Sequence, residues 1–65
     1  MSNNKAATSF YEQIDGEEVT GWVAPEGQSY RAWATFRGKL ILVRGRTESD
    51  AINQWRRQAN SSANE

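Results

Sequence analysis

Apolar and polar residues alternate with a period of two through the middle of the chain, the mark of half-buried strands. "EEVTGWVA" (17–24) sets Val19, Gly21 and Val23 against Thr20, Trp22 and Ala24. "SYRAWATFR" (29–37) sets Tyr30, Ala32, Ala34 and Phe36 against Arg31, Trp33, Thr35 and Arg37, and "LILVRG" (40–45) forms a third run. Pro25-Glu26-Gly27-Gln28 separates the first two runs and Arg37-Gly38-Lys39 the last two, both with turn residues. The period then changes: Ala51, Ile52, Trp55 and Ala59 make one helical stripe. Thr47-Glu48-Ser49-Asp50 ahead of it has the form of a capping box, and Asn60 is the expected stop. "SFYEQIDG" fits either a helical turn or an extended arm, ending in an Asp15-Gly16 turn. The pattern predicts an α+β fold: a three-stranded antiparallel sheet packed on one face by a single C-terminal α-helix. It occupies residues 10–59, between polar tails (1–9 and 60–65) that are expected to be disordered.

One face of that sheet has to meet the helix. Ala32 and Ala34 leave room for it, Tyr30 and Phe36 wall the groove, and Ile52 and Trp55 fill the space. Arg31, Trp33, Thr35 and Arg37 then lie on the open face. The third strand depends on the hairpin. A two-residue Gly38-Lys39 turn pairs Arg37 with Leu40, Thr35 with Leu42, Trp33 with Arg44 and Arg31 with Arg46. A three-residue turn instead sends Leu40 and Leu42 to the covered face. The two-residue turn is preferred because it gathers Arg44 and Arg46 beside Arg31 and Trp33. Side-by-side arginines are costly unless an anion meets them. Trp22 and Thr20 join the same face when Val19 and Val23 point inward.

Composition narrows what such a face can do. Sixty-five residues with fifteen large apolar side chains suffice for one sheet covered by one helix. The longest apolar run, Leu40-Ile41-Leu42-Val43, is too short to span a bilayer, and "MSNNKAATSF" lacks the apolar stretch of a signal peptide, so a cytoplasmic location is expected. The formal net charge is zero, but residues 1–28 set Lys5 against five acids and residues 29–58 set seven bases against Glu48 and Asp50. Such asymmetry suits a surface that meets phosphate; strands of opposite charge neutralising each other within the sheet produce it equally.

Catalysis has little to stand on. There is no cysteine and no histidine, so thiolate metal sites, imidazole ligands and the commonest general base are missing. The serines and threonines have no such base to activate them. Glu17 and Glu18 point to opposite faces of a strand, and Glu48 and Asp50 belong to a helix start. The glycines do not spell a phosphate loop. The chain therefore reads as a non-enzyme with no cofactor, no metal and no membrane partner.

Binding remains. Arg31, Trp33, Thr35, Arg37, Arg44 and Arg46, with Trp22, have the chemistry of a sheet that reads DNA: arginines for guanine edges and phosphates, flat aromatics for sugars and methyls. Three strands followed by a helix, with Arg and Trp on the free face and "TESDAI" opening the helix, resembles the DNA-binding domain of plant ethylene-response factors. It is similar also to the amino-terminal arm-binding domain of phage integrases. Over residues 17–59 that resemblance implies DNA contacts at Arg31, Trp33, Arg37 and Arg44. The chain departs from those basic domains in its neutrality and in bringing Glu17 and Glu18 to the first strand. RNA could stack on the same aromatics. The alternative is that the face buries itself against another protein or a second copy, since interface cores favour Trp, Tyr and Arg. The bland alternative for each residue is internal: Trp33 covering Leu42 and arginine stems, and Trp22 packing under Phe10 or Tyr11.

Overall fold

In a computed structural model, described here for residues 7–63, the chain is a four-stranded antiparallel meander followed by one helix. The strands are β1 (Thr8–Ile14), β2 (Glu17–Glu26), β3 (Ser29–Phe36) and β4 (Lys39–Gly45), and they lie side by side in chain order. The helix α1 spans Glu48–Ala63. The α+β class, the antiparallel sheet and the C-terminal helix are as the sequence predicts. The strand count is not: the ambiguous amino-terminal segment is a strand.

The reason lies in Gly21. Phe10 pairs opposite it, and a Cβ at position 21 would stand only 2.6 Å from the Phe10 ring and 2.7 Å from Ala34 Cβ. The missing side chain lets Phe10 lie down on the core face beside Ala34, with Ile14 fully buried further along. Thr8 and Ser9, expected in the tail, are therefore in the sheet, and the helix continues past Asn60 to Ala63. Of the expected tails, residues 1–6 and 64–65 lie outside the described residues.

Pro25 sits within β2, opposite Tyr30, and not in a turn as expected. In this two-residue hairpin its nitrogen points towards β1, but β1 ends opposite Val23, so among the described residues the absent N–H breaks no ladder bond. The turn itself is Gly27-Gln28, with positive φ at Gly27 alone, the type II′ pattern.

The β3–β4 hairpin turns at Arg37-Gly38, not at Gly38-Lys39. Phe36 pairs with Lys39, Thr35 with Leu40, Trp33 with Leu42 and Arg31 with Arg44. Both turn residues have positive φ, 54° and 79°, which is type I′ with glycine second; Asp15-Gly16 repeats it at 53° and 81°. The correction is a slip of two residues, so both faces keep their residues while the pairs change.

The helix lies chiefly over β4 and β3. Ala51, Trp55 and Ala59 are buried against Ala32, Ala34, Phe36 and Ile41, with Ile52 half-buried at the margin. Trp55 meets Phe10 edge-on with ring centroids 5.6 Å apart, and its indole N–H donates to the Ile41 carbonyl at 3.1 Å. The cap forms as expected on the threonine side, Asp50 N–H donating to Thr47 Oγ1 at 3.0 Å. The Asp50 carboxylate accepts from the N–H of Arg46, one residue ahead of the cap.

Candidate interaction face of the sheet

The face away from the helix is laid out in rows by the strand register. Ser9, Trp22, Trp33 and Leu42 stand opposite one another across all four strands. One step along the strands comes a second row: Tyr11 paired with Thr20 on β1 and β2, and Thr35 paired with Leu40 on β3 and β4. One step the other way are Ala24, Arg31 and Arg44. Beyond the second row, at the opposite end, Glu18 pairs with Gln13.

Five large apolar side chains thus share one uncovered surface. Tyr11 is 71% exposed, Leu40 64%, Leu42 56% and Trp22 44%, and Trp33 between them is half-buried. Scattered exposed apolar residues are ordinary; these five are contiguous. Two adjacent tryptophans hold its middle, with the two leucines beside them on the edge strand β4.

The arginines behave differently. Arg31 and Arg44 face each other across the strands as like charges, and the anion between them is the chain's own Glu26, 3.9 Å from Arg31 and 3.4 Å from Arg44. Glu26 Oε1 is buried and makes no hydrogen bond, so its contact with Arg44 is an ion pair by distance alone. The Arg31 guanidinium also lies 5.1 Å from the Trp33 ring centroid, a cation–π contact. Arg37 leaves the face altogether. From its turn it spans the two type I′ hairpins, donating to Glu17 at 2.9 Å and Asp15 at 3.0 Å, with its guanidinium over the Phe36 ring. Those hydrogen bonds, to Glu17 first and then Asp15, raise its pKa above the ordinary arginine value, so it stays charged wherever the protein is folded. Arg46 lies beyond the end of β4, in the bend that leads to the helix cap.

Of the seven residues the sequence singles out, the fold gathers Trp22, Arg31, Trp33, Thr35 and Arg44, and removes Arg37 and Arg46. The sequence reading missed Tyr11, for want of the fourth strand, and put Leu40 opposite Arg37 and Leu42 opposite Thr35, where the fold sets Leu42 beside Trp33 in an apolar row. On this face Arg31 and Arg44 balance Glu26 and Glu18, with the positive charge at one end and Glu18 at the other.

Among the described residues no pocket opens, no three acidic side chains cluster as metal ligands would, and no helix is long and apolar enough to cross a membrane. Comparison with protein-family models, with characterised proteins and with solved structures gives no match.

Proposed function

We propose that this protein is a non-enzymatic association domain that binds protein through the open face of its sheet. One observation carries the reading: Trp22, Trp33 and Leu42 form a continuous row, exposed at Trp22 and Leu42 and half-buried at Trp33, flanked by exposed Tyr11 and Leu40. Burying such a row against protein removes apolar area from water at roughly 25 cal/mol per Å². Two Trp in the centre with Arg at the rim is also the composition of an interface hot spot. A photo-crosslinking residue placed at Thr35 should give adducts with protein that Leu42→Asp abolishes, and the same residue at Gln58, on the exposed side of the helix, should give none. Equal labelling from both positions, or none from either, overturns the proposal.

Nucleic-acid binding is the second reading, favoured by one feature: the Arg31 guanidinium against Trp33, with the largely exposed Arg44 beside it. It is also where the resemblance to sheet-reading DNA-binding domains would lead. Against it stands Glu26, which already holds both arginines and would have to yield them to phosphate. Affinity for duplex DNA, single strands or RNA that falls steeply with salt and is lost in Arg31→Ala and Arg44→Ala would put this reading first.

A further inference from the structure

Size and charge are distributed over the open face in a way that matches itself. Along three of the four strands, residues of the two apolar rows alternate between large and small. On β1 the step is Tyr11 to Ser9, on β2 Thr20 to Trp22, and on β3 Thr35 to Trp33; on β4 it is Leu40 to Leu42. On those three strands, where one row has its bulk the other has a gap.

We infer that the occupant of this face is a second copy of the chain, packed sheet to sheet about a two-fold axis that runs across the strands between the two rows. The inference rests on the association reading above and names its partner. Such an axis keeps strand over like strand and reverses the strand direction, so each row of one copy lies on the other row of its mate. Trp22 then stands over Thr20 of the second copy, Trp33 over Thr35, Tyr11 over Ser9, and Leu40 over Leu42. Large meets small on three strands and leucine meets leucine on the fourth, the interdigitation that sheets about 10 Å apart need. The ends agree as well. Glu18, one step beyond Thr20, lies over the row of Ala24, Arg31 and Arg44 of the mate. There two arginines share the single Glu26. A closed two-fold of this kind is isologous and does not propagate into fibres.

The face is small. Four strands about 4.8 Å apart and rows about 7 Å apart give about 400 Å² per copy, near half of the roughly 800 Å² that a standard interface takes from each partner. The dimer is therefore a dissociating one, visible over a concentration series and not as a fixed species.

Sedimentation equilibrium of the full chain from about 10 μM to about 1 mM should show a monomer–dimer equilibrium. Trp33→Thr, which sets gap against gap, should weaken it at least about tenfold, and so should Thr35→Trp, which sets bulk against bulk. The double swap, Trp33→Thr with Thr35→Trp, restores complementarity under the two-fold and should recover most of the loss. Thermal unfolding of each variant reports that it is folded. A monomer throughout the series, or a dimer that the double swap weakens more than either single change, overturns the inference. If the wild type is monomeric while position 35 still crosslinks to a different protein in a Leu42-dependent way, the second copy is wrong and the association reading stands. If both fail, both are wrong.

Discussion

At the scale of single residues, the core turns on one tryptophan. Trp55 is fully buried, its ring edge meets Phe10, and its N–H has the Ile41 carbonyl as partner. Trp55→Phe deletes the donor and leaves part of the indole volume empty, so it should destabilise the fold by about 2 kcal/mol or more. The change should appear as a lower urea midpoint at an unchanged slope. Gly45 is the second such residue. A Cβ there would lie 2.7 Å from Ala51 Cα and 2.8 Å from the Asp50 carbonyl carbon. Both are backbone atoms of the helix start, which cannot rotate away. Gly45→Ala should therefore lift the first turn of the helix off β4 and cost about 1–3 kcal/mol, again read from the urea midpoint.

At the scale of elements, the helix and its cap were legible because their signals are local. Thr47 makes the expected bond and the Asp50 carboxylate bonds the neighbouring Arg46 N–H, both within four residues, and Ala51, Trp55 and Ala59 form the stripe that is buried. Thr47→Ala should cost about 1 kcal/mol in the same unfolding measurement. The faces of β2, β3 and β4 were legible for a similar reason, since alternation survives a slip of two. The turn was not, because its choice depends on an unfavourable residue. Type I′ needs positive φ at Arg37, which a non-glycine resists, and Arg37 is held there by Asp15 and Glu17, more than twenty residues away in the case of Asp15. β1 was hidden for the same kind of reason: its only strong signal, Phe10, makes sense once Gly21 opposes it. Gly38 separates the backbone term from packing, as a Cβ there would meet nothing within 4 Å. Gly38→Ala should cost about 1 kcal/mol from φ alone, with the faces of the sheet unchanged by amide hydrogen exchange.

At the scale of the whole molecule, the proposed association would feed back on stability. Among the described residues four of the eleven in the buried cluster are alanine, so the core is thin for a chain that already hides only about 60% of its unfolded surface. Covering Trp22, Trp33, Leu40 and Leu42 with a second copy adds burial that the monomer lacks, and anything that binds only the folded state raises its apparent stability by mass action. The thermal midpoint of the wild type should therefore climb as protein concentration rises through the association range. Trp33→Thr keeps the monomer core intact, because Trp33 lies on the open face and touches none of the residues around Trp55. Its midpoint should stay nearly flat over the same series, so that the gap between the two proteins widens with concentration. Differential scanning calorimetry at three or more concentrations measures this directly. A gap of constant size would locate the whole effect of Trp33 within the monomer, in its contact with Arg31 and its place opposite Trp22 and Leu42, and would remove the second copy from the account of why two tryptophans face outward.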